Sequence, residues 1–588
     1  MLSRAELTIL VVGVFALLIH GGSVGVSAER VRELSGVVLV CMSLITVLRI
    51  VGFVTRYSAE HRFAGLVEAR LPLPVLWILG LTGLWLMNVR GGDGGGLSAN
   101  PAVLWTEALL AATAIVSVLN GCRLLATKTH NSAVLLVGSF LVMITVGTLL
   151  LKLPACRAAG EDSSVQRSAE WNVALFTATS ATCVTGLIVE PTGSYWSPIG
   201  HVVIFGLFQI GGLGILTFGA FLAVLSGRRG LQFREARTLR NMLDAESVHD
   251  SRRLLLTILS FTVCVEIIGA VCLSGLWSDR SLFEQAWYSL FHAVSAFCNA
   301  GFSLHDDGFL GMGQRWQVWG PLTVLIILGG LGFSVVQDLW TNARARLTHT
   351  EATPLFRTAG IRPRLTLHST LVLYTTFALL ASGAVAWFML ESLEAPSREG
   401  VGAVKAADAW FQSVTFRTAG FNTVDHQHMH PATKLLAIFL MFIGAAPGST
   451  GGGIKTVVFA IAVLNVWAVF KGRNRVELFG RCLPITQVSR ALSMIAVGIL
   501  IVMLTAGLLV IFERHPELFI DHLFEATSAF ATVGVSAGIT PTLTMPSRML
   551  ICVVMFLGRV GPITLLLAMA APVESGKYDY PEERVSLG

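Results

Sequence analysis

Four short segments of this chain repeat one pattern around a shared glycine. They read SATCVTGL (180–187), SAFCNAGF (295–302), VTFRTAGF (414–421) and SAFATVGV (528–535). Spacings of 115, 119 and 114 residues separate the glycines Gly186, Gly301, Gly420 and Gly534, and an aromatic residue precedes each by ten positions: Phe176, Phe291, Trp410 and Phe524. Self-similarity at a near-constant period indicates repeated supersecondary units. The chain is therefore expected to contain four copies of one unit.

The composition assigns this repeat to a membrane. Of 588 residues, 54% are hydrophobic and 13% charged, with a mean hydropathy of +0.70, whereas soluble domains are about 45–50% apolar and about 25% charged. The chain contains twelve apolar runs and four shorter ones, and runs of about 20 residues predict membrane-spanning helices. The first run follows Glu6 and lacks a small-residue cleavage pattern, so it is interpreted as a retained helix.

Each glycine segment lies between two long apolar spans. The predicted unit is a helix, a short amphipathic helix, a non-helical loop and a second helix, where the second helices carry the glycine motifs GGLG (211–214), GGLG (329–332), GAAPGSTGGG (444–453) and GRVG (558–561). The second helices were expected over 198–225, 316–338, 432–470 and 547–571. The fold class predicted is an all-α polytopic membrane protein, with repeats at 131–253, 254–364, 365–490 and 491–588, and additional transmembrane helices in 1–130.

Loop charge predicts the orientation, because short cytoplasmic loops are rich in lysine and arginine. Basic residues cluster in 226–253, 341–364 and 471–490, and a further group lies in 55–73. Both termini are therefore predicted to be cytoplasmic, in a multi-pass protein of the cytoplasmic (inner) membrane. Topology explains loops this short better than nucleic-acid binding does.

Enzyme chemistry is not predicted. The nine cysteines form no CxxC pair, so neither a zinc site nor a disulfide framework is expected. GSTGGGIKT resembles a phosphate-binding loop, but Ile454 separates Gly453 from Lys455 and no soluble strand–loop–helix unit surrounds it. No catalytic residue is therefore proposed.

A non-helical loop at membrane depth must be buried in protein or line a water-filled cavity. Four such loops around one axis would form a central pore, where backbone carbonyl groups replace the hydration shell of a cation. Glycine permits the backbone angles that this requires. TCVTG (182–186) resembles the TVGYG loop of potassium channels.

The chain resembles the Trk, Ktr and HKT superfamily of potassium transporters over about 131–571. The most specific pieces are SVTFRTAGFNTVD (413–425), SAFCNAGF (295–302), APGSTGGGIKT (446–456) and FLGRVGP (556–562). The resemblance implies a pore of four helix–pore loop–helix units, K+ as the transported ion, and no cofactor bound by this chain. It also implies a homodimer and a cytoplasmic nucleotide-binding regulatory subunit.

The resemblance assigns a selectivity filter and a gate. The filter residues would be Thr182, Cys183, Val184, Thr185 and Gly186; Phe297, Cys298, Asn299, Ala300 and Gly301; Phe416, Arg417, Thr418, Ala419 and Gly420; and Phe530, Ala531, Thr532, Val533 and Gly534. Glycine in all four units favours potassium, because some sodium-permeable relatives have serine in the first. The gate would comprise Gly448, Ser449, Thr450, Gly451, Gly452, Gly453 and Arg559.

The composition of 448–453 and the position of Arg559 are both unusual for a membrane helix. Five of the six residues in 448–453 are glycine or serine, and such a break in a membrane helix is costly unless it lines a cavity. A kink that serves only packing is the alternative. Arg559 lies in mid-span, where an ionisable residue suggests function, and the alternative is a buried pair with Glu266 or Glu525.

Acidic residues follow three of the four glycines and suggest an outer vestibule. These are Glu190, Asp306 with Asp307, and Asp425, whereas the fourth unit has only Gly538 and Ile539 there. Acids around a pore mouth concentrate cations, although each alone could be a solvated loop residue. Arg417 has to point away from the ion, and its partner is not predicted.

Two other functions stay open within this fold. One is a sodium-permeable or sodium-coupled transporter. The other is a proton-coupled cation symporter, for which Glu266 and Asp338 are the available acids. A secondary transporter with inverted repeats is disfavoured, since the repeats all start on the same side.

Overall fold

A computed structural model describes residues 132–158, 168–225, 248–347, 365–394, 406–473, 475–478 and 480–561. This part of the chain is helical except for loops and one short antiparallel pair, β1 (Glu477–Leu478) and β2 (Arg481–Cys482). The predicted helices of 1–130 and most of the basic loops 226–253 and 341–364 lie outside the described residues. The helical content agrees with the predicted all-α class.

The first two units each begin with a long helix followed by a short one. The first contains α1 (Ser132–Leu151), α2 (Trp171–Cys183), the single turn α3 (Thr192–Tyr195) and α4 (Pro198–Leu225). The second contains α5 (Val248–Leu273), α6 (Leu282–Phe297), α7 (Thr323–Leu331) and α8 (Phe333–Leu347), with a π-helical turn at Val318–Leu322.

The other two units have the same order of elements. The third contains α9 (Leu367–Glu394), α10 (Ala406–Thr415), α11 (Pro431–Phe442) and α12 (Thr456–Phe470). The fourth contains α13 (Ile485–Glu513), α14 (Phe519–Ala531) and α15 (Met545–Val560). We refer to α2, α6, α10 and α14 as the short helices.

Among the described residues, three helices are long and apolar enough to cross a membrane: Ile258–Trp277, Leu367–Leu393 and Ile485–Glu513. A fourth span is reached if the pair Val318–Leu331 and Phe333–Ala343, bent by 103°, counts as one. Four further apolar segments of this region are shorter: Leu136–Leu151, Pro198–Gly214, Pro431–Phe442 and Thr456–Phe470.

Glycine explains why the second helices are short. The last glycine of each GGLG or GRVG motif has a positive φ, 59° at Gly214, 87° at Gly332 and 87° at Gly561, and the helix is interrupted or ends there. L side chains rarely adopt such angles, but glycine adopts them freely. The helix expected over 198–225 is found with these bounds but is kinked at Gly214, and the span 316–338 is divided at Gly332. Neither break was predicted, and the third unit has a longer break at residues 443–455.

The short helices form the centre of the packing. Three of the four aromatic residues ten positions before the shared glycines, Phe176, Phe291 and Phe524, are fully buried in the core, and the fourth, Trp410, is partly buried. Large apolar residues such as Ile267, Ile268 and Val271 of α5 are more than half exposed. Such faces suit a lipid environment, where an apolar exterior carries no hydration cost.

Candidate functional site

Each short helix leads into a loop with the same unusual backbone. The residue two positions before each shared glycine is left-handed, with φ of 58° at Val184, 57° at Asn299, 76° at Thr418 and 51° at Thr532. The glycines themselves have φ of 91°, 71°, 83° and 93°. Positive φ is uncommon for residues other than glycine and occurs often at functional sites. Four matched pairs of such angles indicate one conformation used four times, and we call these segments the glycine loops.

The four glycine loops meet in a closed ring. A Cβ atom added to Gly186 would lie 2.6 Å from the carbonyl oxygen of Ala300, and one on Gly301 would lie 2.9 Å from the Cα of Gly420. One on Gly420 would lie 2.7 Å from the carbonyl oxygen of Val533, and one on Gly534 would lie 2.9 Å from the Cα of Gly186. Each glycine therefore faces the next loop in chain order, and no side chain fits at this level.

Hydroxyl groups of the short helices hold the glycine loops. Ser180 Oγ accepts a hydrogen bond from the Gly186 N–H at 3.0 Å, and Ser528 Oγ accepts one from the Gly534 N–H at 3.1 Å. Ser295 Oγ donates to the carbonyl oxygen of Phe302 at 2.8 Å. A serine six positions before the glycine is present in three of the four aligned segments, but no role was predicted for it.

The third unit is offset by one residue. Thr415, five positions before Gly420, donates its hydroxyl to the carbonyl oxygen of Phe421 at 2.5 Å. The serines of the other units occupy the preceding position. The four loops are therefore alike in backbone but not identical in their support.

The first carbonyl group of three glycine loops packs against the second helix of its unit. A Cβ atom on Gly211, Gly329 or Gly558 would lie 2.9, 3.0 or 2.7 Å from the carbonyl carbon of Thr182, Phe297 or Phe530, respectively. These glycines open the GGLG and GRVG motifs, so their lack of a side chain allows close approach. The carbonyl groups nearest the ring belong instead to Thr185, Ala300, Ala419 and Val533.

The break in the third unit is an ordered loop, residues 443–455, which we call the third-unit loop. Its ends are joined by a hydrogen bond from the Gly444 N–H to the carbonyl oxygen of Ile454 at 2.9 Å. The N–H groups of Ala446 and Thr450 donate to the carbonyl oxygens of Gly330 and Gly329. The loop is therefore fixed against the broken second helix of unit two.

Consecutive residues of the third-unit loop lie against successive glycine loops. Asn299 Nδ2 donates to Thr450 Oγ1 at 2.8 Å. A Cβ atom on Gly451 would lie 3.1 Å from the Cβ of Thr418, and one on Gly452 would lie 3.1 Å from the Cβ of Thr532. The loop thus lies against the left-handed residues of units two, three and four.

Arg559 joins three units through backbone carbonyl groups. Its guanidinium donates to the carbonyl oxygens of Thr450 and Gly211, and to that of Gly212 at 3.3 Å. The acids considered as partners bond elsewhere: Glu266 to Gln209 at 3.0 Å, and Glu525 to Ser536 and Thr540. The alternative of a buried ion pair with either acid was therefore wrong.

Two further cations contact this region. Arg417 is turned away from the ring, and its Nη2 donates to the carbonyl oxygen of Gly444 at 3.2 Å. Lys455 donates through Nζ to the carbonyl oxygen of Gly451 at 2.7 Å. This contact of Lys455 with the third-unit loop was not predicted from the sequence.

The predicted vestibule acids lie on the loops that follow the shared glycines. Asp306 and Asp425 are exposed and Glu190 is partly buried, and no contact joins the three within the described residues. Asp306 accepts from the Ser194 N–H at 3.1 Å. Burial alone would raise the pKa of Asp425, but bonds from the Gln427 N–H and His428 Nδ1 lower it from its ordinary value. The charge of Asp425 is thereby favoured.

Several side-chain oxygens of the glycine loops are buried and have no hydrogen-bond partner among the described residues: Thr182 Oγ1, Thr185 Oγ1, Asn299 Oδ1, Thr418 Oγ1 and Thr532 Oγ1. Buried polar atoms are usually paired, so each exception needs an explanation. Oxygen ligands without charge suit a monovalent cation. In the part of the chain described, no cluster of His, Cys, Asp and Glu could hold a metal ion.

Three known uptake proteins are similar to this chain over about three quarters of its length. The chain is 34% identical over 459 residues to the potassium/sodium uptake protein NtpJ of Enterococcus hirae, covering 77% of this chain and 96% of the relative. It is 35% identical over 460 residues to the Ktr system potassium uptake protein B of Bacillus subtilis, with the same coverage. The homologous protein B of Vibrio alginolyticus is 36% identical over 455 residues, covering 76% and 93%.

A solved structure shares the fold. The potassium transporter TrkH from Vibrio parahaemolyticus superposes with a TM-score of 0.56 at 18% identity, covering 86% of this chain and 98% of that one. The TrkH family, described as a cation transport protein, matches residues 109–580. The chain therefore belongs to the TrkH family of cation transport proteins, and it is a multi-pass membrane transporter rather than an enzyme.

Proposed function

We propose that this protein takes up potassium across the cytoplasmic membrane through a pore enclosed by its four glycine loops. The observation that carries this is the closed ring of Gly186, Gly301, Gly420 and Gly534, with a left-handed residue two positions before each glycine. The names of the curated relatives, which are potassium or potassium/sodium uptake proteins, support the choice of ion.

The selectivity filter in this proposal is the twenty-residue set of the four glycine loops. The carbonyl oxygens of Thr185, Ala300, Ala419 and Val533 approach the neighbouring glycines and are the best placed to replace water around the ion. Carbonyl dipoles have a lower field strength than carboxylates, which suits a large, weakly hydrated cation. The acids Glu190, Asp306 and Asp425, of which the last two are exposed, would raise the cation concentration outside.

The gate in this proposal is Gly448 to Gly453 together with Arg559. Thr450 is the central residue of this proposed gate. Its Oγ1 donates to the Phe297 carbonyl at 3.1 Å, and its own carbonyl accepts from Arg559. Opening requires these bonds to break and the loop to move away from the glycine loops. Deletion of 448–453 should therefore raise ion flux, and unchanged flux would remove the loop from the gate.

The larger assembly is part of the proposal. We propose the division into four repeats and an N-terminal addition, a homodimer, cytoplasmic termini and a cytoplasmic nucleotide-binding regulatory subunit. Regulation would reach the pore through the basic loop 226–253, and reversing its charges should weaken the effect of the partner. The lipid bilayer is the other partner.

Cation flux into liposomes tests the function. The purified protein is reconstituted, a membrane potential is set, and influx of potassium, rubidium, sodium and lithium is compared. Potassium and rubidium should pass well ahead of sodium and lithium. Equal passage of sodium would overturn potassium selectivity, and flux that depends on an imposed pH gradient would favour a proton-coupled mode.

A sodium-permeable or sodium-coupled transporter is the second candidate. The observation that favours it is the 34% identity to a protein named for uptake of both ions. Potassium flux that rises when sodium is added on the same side would support coupling. Potassium flux that is unaffected by sodium would exclude it.

A further inference from the structure

Glu525 of the fourth short helix is a buried acid next to the proposed pore. Its side chain is fully buried, nine positions before Gly534. The carboxylate accepts hydrogen bonds from the Ser536 hydroxyl, the Ala537 N–H at 3.0 Å and the Thr540 hydroxyl at 2.9 Å. These partners follow Gly534 directly, so one side chain of the helix fixes the chain just beyond the glycine.

A second set of bonds holds the glycine itself. Ser528 Oγ accepts from the Gly534 N–H and donates to the carbonyl oxygen of Val535 at 2.6 Å. Ser528 and Glu525 lie one turn apart on α14, so both point to the same side of the helix. Together they fix residues 534 to 540 to the short helix.

The same position in the other units carries a different residue. His292 contacts Ser303 Oγ at 3.0 Å and the Leu304 N–H at 3.3 Å. Gln412, allowing for the one-residue offset, donates to Thr423 Oγ1 at 3.2 Å, and the first unit has the buried Thr177. His292, Gln412 and Thr177 lie on the short helices that precede their glycine loops. Only the fourth unit has a carboxyl group at this position.

The hydrogen-bond donors to Glu525, a hydroxyl, a backbone N–H and a second hydroxyl, are all neutral. The nearby Asp521 is paired with Lys434 at 2.6 Å, and Arg559 is bonded to carbonyl groups. The fourth unit is also the one that lacks an acid after its glycine, where it has Gly538 and Ile539. Glu525 therefore reaches the proposed pore through its hydrogen bonds to the chain that follows Gly534.

We propose that Glu525 is a positioning and affinity-determining residue of the fourth glycine loop, which holds Ser536 to Thr540 in place through hydrogen bonds to both of its carboxyl oxygens. The proposal deepens the proposed function and rests on it. Glu525 does not contact the ion; it acts through the backbone that it holds. Its loss should therefore weaken cation binding more than it changes the maximal rate.

The test compares Glu525→Gln with Glu513→Gln. Glu513 is a matched control, because it belongs to the same unit and also accepts from a threonine N–H and hydroxyl, those of Thr544. Uptake into liposomes should show the half-saturating potassium concentration raised about tenfold for Glu525→Gln, because Glu525 accepts through both oxygens and glutamine, with one acceptor oxygen, loses at least one of these hydrogen bonds. The maximal rate should stay within about twofold, the pattern of lost binding.

A binding measurement separates this proposal from the transport proposal. Thermal stabilisation of the detergent-purified protein is followed as potassium, rubidium or sodium is added. A wild type stabilised by sodium alone would overturn potassium selectivity, yet the shift between wild type and Glu525→Gln would still test the role of Glu525. Thr540→Val, which removes one donor and keeps the acid, should give a smaller shift in the same direction and serves if Glu525→Gln does not fold. Cation affinities equal to wild type in the folded variants would overturn the role of Glu525.

Discussion

The guanidinium of Arg559 donates a hydrogen bond to the carbonyl oxygen of Thr450, which joins the fourth unit to the loop that interrupts the third. The same guanidinium bonds Gly211 and Gly212 of the first unit. Thr450 in turn bonds Phe297 and Asn299 of the second. One contact therefore connects all four quarters of the molecule directly below the ring of glycines.

Arg559→Gln should increase potassium flux. Glutamine is shorter and uncharged, so it cannot reach Thr450 and Gly211 together, and the closed arrangement loses charge-assisted hydrogen bonds worth about 1.5–3 kcal/mol each. We expect a rise of about tenfold or more in liposome flux, because each 1.4 kcal/mol changes an equilibrium tenfold. Arg548→Gln is the control, since Arg548 is a cation of the same helix whose Nη2 bonds Pro541 on the outer side. Flux equal to wild type in Arg559→Gln would remove this arginine from the gate.

Gly186→Ser should relax the preference for potassium. The added side chain would meet the carbonyl oxygen of Ala300 at 2.6 Å, at a backbone angle of φ 91° that serine rarely adopts. The ratio of potassium to sodium flux should fall by about tenfold or more, a change of ~1.4 kcal/mol in relative barrier height. Gly206→Ser is the control, because nothing lies within 4 Å of a Cβ there. An unchanged ratio in Gly186→Ser would exclude this glycine from the filter.

The buried His426 should make stability depend on pH. Burial lowers its pKa from 6.5 to about 4, while Asp425 opposes the shift and Lys434 adds to it. The folded protein therefore binds fewer protons than the unfolded chain between these values. The stabilisation is complete above pH 6.5 and is lost as the pH falls toward 4, by roughly 3 kcal/mol.

Thermal unfolding between pH 4 and pH 7 measures this effect. His426→Gln should flatten the profile relative to wild type, because glutamine does not titrate and can still bond Gln412. The control His428→Gln changes a histidine whose side chain is 74% exposed, and its profile should still lose stability as the pH falls from 6.5 toward 4. Parallel profiles for wild type and His426→Gln would contradict the assignment.

The pair of Lys434 and Asp521 should contribute to stability through burial. Lys434 Nζ lies 2.6 Å from Asp521 Oδ1, and the side chains are only 9% and 17% exposed. Asp521→Asn leaves a buried ammonium without an acidic partner, bonded only to the carbonyl oxygen of Gln427 at 3.0 Å, so we expect a loss of about 3–5 kcal/mol. Glu477→Gln, in a pair with Arg473 whose side chains are 54% and 58% exposed, should cost less than about 1 kcal/mol. Equal melting temperatures for the two variants would contradict this ranking.

Local sequence pattern was sufficient for much of the fold. The all-helical membrane fold is confirmed, and the shared glycines occur in loops at the ends of the short helices. Both follow from features that act within about twenty residues, namely apolar length and the backbone freedom of glycine. The helix breaks at Gly214 and Gly332 were missed, because glycine inside an apolar run also fits an unbroken packing helix.

Contacts between distant residues could not be predicted in this way. The partners of Arg559 and Arg417 are backbone carbonyl groups, which every residue possesses and no pattern marks. In the third glycine loop the supporting hydroxyl belongs to Thr415, one position later than the serine of the other units. Alignment on the glycine alone does not show this offset. Such details depend on how the four units pack around each other.

The one-residue offset and the third-unit loop occur in one quarter of a single polypeptide. A pore assembled from four identical chains would acquire any such change four times at once, and four loops of this length would compete for the same space beneath the ring. Four covalently joined units can diverge one at a time, so one quarter can carry the loop of the proposed gate while another supplies its arginine. The asymmetry of this molecule therefore depends on its four units being joined in one chain, in which each unit can differ from the others.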